Sequence, residues 1–258
     1  MAKIGIFDSG SGGLSVYREI VKLLPAESYV YVADSAFCPY GEKSREQVTE
    51  RACAITEFLI GLGCEIVVVA CNTATAAAIA TLRNEYGIPF IGMEPAVKIA
   101  AISTKSGIVG VLATAGTLKA SKYIDTRDRY SQGKRVIESV GQGFVELVEN
   151  GDLDSDNARE TVRRSVMPLI DEGADVLVLG CTHYPFLMDT IRSVTEESAP
   201  DREIMIIDPA PAVARHLVEV LKEKGIPFDE SGTVPPKPDI ELYSSGDLES
   251  LRRIYKLI

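Results

Sequence analysis

The chain has 258 residues, 46% of them apolar and 25% charged, which fits a globular protein with a sizeable core and excludes a disordered or low-complexity one. At roughly 150 residues per domain, that length corresponds to about 1.7 domains, so one large α/β domain or two small ones are expected. Thirty-seven acids against 27 bases leave a net charge of -10, which disfavours nucleic acid and anionic membrane as partners and requires an anionic substrate to be captured by local donors.

Met1-Ala2-Lys3 leads directly into KIGIF, a strand, with no signal-peptide core ahead of it. No apolar run approaches the ~18 to 20 residues of a membrane span, so a cytoplasmic protein is expected. The strand runs into Asp8-Ser9-Gly10-Ser11-Gly12-Gly13 and then a helix from near Leu14. That loop lies beyond the carboxyl end of a strand, where α/β sheets bind ligands, and free amides at a helix start favour an anion. It matches neither GxGxxG nor a Walker motif. SYVYVA is the second strand; it is followed by Asp34-Ser35 and a loop, Phe37-Cys38-Pro39-Tyr40-Gly41, whose Tyr-Gly pair can close over a ligand or form an ordinary turn. From Ser44 to Gly63, apolar residues at Val48, Ala52, Ile55, Leu59 and Leu62 trace a helical face, with Ser44 and Gln47 spaced as a capping box.

EIVVVA, IPFIG, GIVGVL, KRVIESV, DVLVLG and EIMIID complete the strands. The runs 66–69 and 176–179 are apolar without alternation, as expected of strands covered on both faces. His216 lies in a helical stretch, AVARHLVEVL, and reads as a surface or packing residue. DESGTVPPKPD at 229–239 reads as an exposed connection before the final piece.

Sliding the chain over itself exposes an internal duplication. IVVVACNTAT from Ile66 is answered by VLVLGCTHYP from Val176, 110 residues later. IGMEPAV at 91–97 answers IIDPAPAV at 206–213, and GIFDSGSGG at 5–13 answers GVLATAGT at 110–117. The expected architecture is α/β, with two pseudo-symmetric halves built on mostly parallel sheets and the active site in the cleft between them. The first domain takes residues 1–97 plus 208–258, with the final helices packing back on it; the second takes 98–207.

Five cysteines, at 38, 53, 64, 71 and 181, form neither a disulfide framework nor a CxxC pair. Cys71 and Cys181 stand at equivalent strand ends, each followed by polar residues, near the start of the next helix, where the dipole favours a thiolate. Cys38, Cys53 and Cys64 have no such setting and are assigned to loop or core packing. A zinc site from Cys71, Cys181 and His183 would lack a chelating pair, so no metal is expected. His183, two residues after Cys181, is within reach of its thiol or of a substrate carboxylate. Thr114 and Thr117 take the places of Asp8-Ser9 and the residues after them, as hydroxyl donors. In GFVELVENG, both Glu146 and Glu149 are by default solvated helix residues.

Two thiols on opposite sides of an amino-acid α-carbon can invert it: one removes a proton from one face while the other delivers a proton to the opposite face. A duplicated fold suits that nearly symmetric transition state. Asn72, Thr73, Thr182 and the helix N-termini are donors for the developing charge.

FDSGSGG at 7–13, ADS at 33–35, PYG at 39–41, ACNTAT at 70–75, GVLAT at 110–114, LVENG at 147–151 and GCTHYP at 180–185 together resemble the cofactor-independent glutamate racemases of bacterial cell-wall synthesis, across nearly the whole chain. The resemblance implies conversion of L-glutamate to D-glutamate for peptidoglycan, with no pyridoxal phosphate, nicotinamide or metal. It implies Cys71 and Cys181 as the catalytic pair, Asp8 assisting Cys71, and His183 with Glu149 assisting Cys181. It also implies substrate contacts from Asp8, Ser9, Tyr40, Gly41, Asn72, Thr73, Thr75, Thr114, Thr117, Thr182 and His183, and a homodimer. One stretch departs from the family pattern: Val140-Gly141-Gln142-Gly143-Phe144-Val145-Glu146 stands where members often carry Ala-Cys-Pro and a Pro before LVE. Glu146 therefore remains a second nearby carboxylate. The alternatives are a racemase of aspartate or another acidic amino acid, a dicarboxylate-binding module without turnover, and a thiol redox protein. The distance in sequence between Cys71 and Cys181 argues against the last.

Overall fold

Every strand pairing among the described residues is parallel, and the eight strands expected from the sequence all form. The structure is a computed structural model that describes residues 1–93, 96–231 and 239–258. It divides into two units, Met1–Met93 with Ala210–Ile258, and Glu94–Pro209.

The first unit opens with β1 (Lys3–Asp8), α1 (Leu14–Leu23), β2 (Ser28–Ala33), α2 (Arg45–Gly61), β3 (Ile66–Val69), α3 (Asn72–Glu85) and β4 (Phe90–Gly92). The second carries α4 (Val97–Ser103), β5 (Ile108–Ala113), α5 (Ala115–Leu118), α6 (Ser121–Tyr130) and β6 (Arg135–Val140), then α7 (Phe144–Asn150), α8 (Asp156–Asp171), β7 (Val176–Gly180), α9 (Met188–Ser198) and β8 (Met205–Ile207). The chain then completes the first unit with α10 (Ala210–Lys224), β9 (Asp239–Ser244) and α11 (Leu248–Tyr255).

The sheet orders are β4-β3-β1-β2-β9 and β6-β5-β7-β8. Read from the other edge, the second is β8-β7-β5-β6, the order of the first sheet without β9. The strand that ends before Cys71 and the strand that ends before Cys181 therefore hold the same place in their sheets. Both are buried along their whole length, so β-branched and leucine side chains can point to either face without meeting water.

Local chemistry explains the elements that frame the site. The helix expected from Ser44 forms as α2; Ser44 Oγ accepts from the Gln47 amide and Gln47 Oε1 accepts from the Ser44 amide, the reciprocal cap that its spacing promised. Val48, Ala52, Ile55 and Leu59 are buried, and Leu62 packs against the same apolar cluster, which also holds Phe7, Val67, Val69 and Ile79. Each large side chain so buried contributes roughly 1.5–3 kcal/mol. In the second unit the corresponding core gathers Val109, Val111, Val176 and Val178 with Tyr123.

The final piece requires a correction: it contains a strand, β9, which extends the first sheet in register with β2 from Ser28↔Asp239 to Ala33↔Ser244. Of the expected connection at 229–239, residues 232–238 lie outside the described residues, as do Glu94 and Pro95 of the IGMEPAV repeat.

Candidate active-site residues

In the first unit the chemistry gathers where β1 and β3 end. Phe7 pairs with Val69, so continuing the register two residues brings Ser9 level with Cys71. Asp8 is fully buried, and its carboxylate closes its own loop: Oδ1 accepts from the Ser9 amide and Oδ2 from the Gly13 amide, both at 2.7 Å. The Ser9 hydroxyl stands 3.4 Å from Asp8 Oδ1 and 3.9 Å from Cys71 Sγ. Cys71 is the N-cap of α3, extended at φ -142 and ψ 122, with the Ala74 amide directed at its sulfur at 3.5 Å. An N-capping sulfur sees the positive end of a helix, the setting that favours a thiolate.

Asn72 begins the helix. Among the described residues, its buried Nδ2 finds no acceptor. Such an orphan costs roughly 1–3 kcal/mol. Thr73 beside it is half-buried. The Thr75 hydroxyl donates to the Val69 carbonyl at 3.1 Å and accepts from the Met93 amide at 3.0 Å, bracing α3 against the ends of β3 and β4. Tyr40 is buried in a short 3-10 turn, Tyr40–Glu42, and donates its hydroxyl to Asp34 Oδ2 at 2.5 Å. Burial first, and then that bond, push the Tyr40 phenol upward, so it remains a donor. Burial would also raise Asp34, but hydrogen bonds from Arg51, Tyr40 and Ser245 outweigh it and hold the carboxyl below its usual range.

In the second unit Ala113 pairs with Gly180, which brings Thr114 level with Cys181 as Ser9 is with Cys71. Cys181, Thr182 and His183 form a tight turn after β7, closed by the Tyr184 amide on the Cys181 carbonyl at 3.1 Å. All three are buried. His183 Nδ1 lies 3.8 Å from Cys181 Sγ, and its Nε2 lies 2.7 Å from Glu149 Oε1. Burial alone would lower the imidazole; the hydrogen bonds to Cys181 and Glu149 and the charges of both carry it well above its usual value. With the ring charged, each nitrogen donates, one toward sulfur and one toward carboxylate.

Glu149 is carried by α7, a seven-residue helix bounded by Gly143 at φ 82 and Gly151 at φ 74, left-handed turns that suit glycine. Phe144 anchors the helix edge-on to Tyr184, ring centroids 4.8 Å apart. Of the two glutamates, Glu149 meets His183 and Glu146 is exposed. Thr114 caps the short α5, accepting from the Thr117 amide at 3.2 Å and donating to the Thr117 hydroxyl at 3.0 Å. Cys64 is core, its thiol pushed up to about 11 by burial; Cys53 packs at the edge of the same cluster; Cys38 follows a 3-10 turn in the loop after β2; and His216 is exposed beside Glu219. Sequence reasoning passed over Arg51, which grips Asp34, and Gly13. A Cβ on Gly13 would lie 2.8 Å from Asp8 Cβ.

The sequence profile of the family described as Asp/Glu/Hydantoin racemase matches residues 4–217. The chain belongs to this racemase family. It is similar to the glutamate racemase of Ectopseudomonas mendocina (strain ymp), 47% identical over 258 residues that cover 100% of this chain and 94% of that one. Among solved structures it is similar to glutamate racemase isoform RacE1 from Bacillus anthracis, with 35% identity, a TM-score of 0.85 and coverage of 99% of this chain and 93% of that one. Escherichia coli glutamate racemase, solved with L-glutamate and the activator UDP-MurNAc-Ala, is comparably similar, with 32% identity, a TM-score of 0.85 and coverage of 99% and 94%. This racemase chain is thus α/β throughout, with one cysteine at the matching strand end of each unit. No described helix is long and apolar enough to cross a membrane.

Proposed function

We propose that the protein is a glutamate racemase that interconverts L-glutamate and D-glutamate with its own thiols, Cys71 and Cys181, as the two acid/base groups and no cofactor. The observation that carries this reading is the recurrence of one arrangement at two equivalent strand ends. In each, a cysteine stands next to a residue able to manage a proton or a charge: Asp8 through Ser9 in one unit, and His183 with Glu149 in the other. A binding module has no use for that pairing.

In the forward step one sulfur, as thiolate, takes the α-proton. The C–H electron pair passes into the substrate carboxylate as an enediolate, and the opposite thiol gives its proton to the other face. The sulfurs exchange protonation states, so the product of one direction meets the enzyme poised for the reverse. His183 hands a proton to Cys181 or accepts one from it through Nδ1, and Glu149 holds the ring for that transfer. General acid/base help is worth about 10²- to 10⁴-fold per group. So weak a carbon acid needs more, from donors fixed on the developing enediolate. The unsatisfied Asn72 amide is one such donor, with Ser9, Thr73, Thr114 and Thr182 near the same strand ends.

Glutamate, rather than aspartate, is supported by the full-length likeness to glutamate racemases in both sequence and structure. D-glutamate supply for peptidoglycan, a homodimer and a cytoplasmic location complete this reading. The test is circular dichroism of L-glutamate with purified protein and no added cofactor. Decay of the signal to zero, with L-aspartate unchanged, is the expected result; turnover of L-aspartate alone would transfer the assignment to an aspartate racemase.

A further inference from the structure

The loop between β2 and α2 carries a polar clamp that the proton chemistry does not use. Asp34, fully buried at the end of β2, is gripped from two sides. Arg51 of α2 forks onto it, Nε to Oδ2 at 2.9 Å and Nη2 to Oδ1 at 2.8 Å, while the Tyr40 hydroxyl donates to Oδ2 at 2.5 Å. The same guanidinium lies 4.0 Å above the Phe37 ring. One side chain thus secures the loop at its stem, at Phe37 and, through the shared carboxylate, at Tyr40. A two-point fork orients a carboxylate as a single ammonium cannot.

This clamp adjoins the first cysteine. The Asp34 amide donates to the Asp8 carbonyl at 2.9 Å, and Tyr40 belongs to the same buried cluster as Cys71. A buried Asp34 without Arg51 would be an uncompensated charge, and Tyr40 would lose the fixed acceptor that sets its ring.

We propose that Arg51 is a positioning residue for the reaction: by clamping Asp34 it holds the Tyr40-Gly41 stretch in its substrate-ready place on the Cys71 side, and so governs substrate affinity rather than proton transfer. The substrate half of this statement rests on the glutamate reading above; the clamp itself does not.

Two measurements separate the halves. Hydrogen exchange of the amides at 35–43 needs only folded protein. Arg51→Met speeds it by about tenfold or more while the amides of β1 and β3 keep their protection. Steady-state racemisation then reads the consequence: Arg51→Met raises KM for glutamate by about tenfold with kcat within about threefold, and Arg51→Lys does not restore it. Unchanged exchange at 35–43 in Arg51→Met overturns the clamp, and a fall in kcat at constant KM overturns its role in affinity. If Arg51→Met does not fold, Arg51→Lys decides on the same two readouts. A wild-type protein inert toward glutamate would refute the functional reading while leaving the exchange result to judge the clamp.

Discussion

Glu149 Oε1 meets His183 Nε2 at 2.7 Å across 34 residues of sequence, and the other ring nitrogen faces Cys181. A histidine held above its unfolded value of about 6.5 adds stability that is complete below that pH and is lost as pH rises through its folded value. Removing the carboxylate by Glu149→Gln brings the folded value down. The stability gap between wild type and Glu149→Gln, from urea unfolding at a series of pH values, is therefore widest near pH 6 and narrows as the medium becomes more alkaline. Glu146→Gln, on the solvent side of the same helix, stays within about 0.5 kcal/mol of wild type.

Cys71→Ser and Cys181→Ser each lower racemisation by about 10²-fold or more without loss of fold, since each deletes one of two acid/base groups. Cys53→Ser, at the edge of the buried cluster, leaves turnover near wild type. Cys64 is core, so Cys64→Ala is the informative change: it costs stability and leaves turnover per folded molecule unchanged. Activity measured beside thermal unfolding distinguishes these classes.

Asn72 carries a buried amide with no acceptor among the described residues. Asn72→Ala removes an unsatisfied donor, so the free protein keeps its stability within about 1 kcal/mol while KM for glutamate rises by about tenfold or more. Unfolding of the ligand-free protein and steady-state kinetics give the two numbers.

Gly13 donates its amide to Asp8 and has Asp8 Cβ and the Tyr31 hydroxyl each 2.8 Å from where a Cβ would stand. Gly13→Ala forces that loop apart, at a cost of about 1–3 kcal/mol, and displaces Asp8 from Ser9 and Cys71. A lower unfolding temperature and a loss of activity per folded molecule are both expected.

The interior of this fold was legible because its signals are local and redundant. β3 and β7 are unbroken β-branched and leucine runs, and Ser44 and Gln47 announce α2 three residues apart. β9 was not legible: DIELYS alternates charged with apolar residues, carries only partial burial and acquires its identity by pairing with β2, a partner far back in the chain. The matching strand-end places of Cys71 and Cys181 were readable from the duplication. Which glutamate meets His183 was not, because both lie on one short helix and the sequence does not say how α7 is turned toward His183. Arg51 resembled any solvated helix arginine; its one sequence hint is its place beside Ala52 and Val48, at the margin of the buried stripe.

Two thiols acting on opposite faces of one α-carbon leave an isotopic signature when the reaction is run on protonated L-glutamate in D₂O and the α-position of both enantiomers is read at low conversion. A thiol carries a single proton and the two bases are distinct. The expected products are D-glutamate that is deuterated from the first turnover and recovered L-glutamate that is still protonated. Deuterium entering recovered L-glutamate as fast as it enters D-glutamate would mean that one exchangeable base serves both faces, and would contradict the two-thiol mechanism.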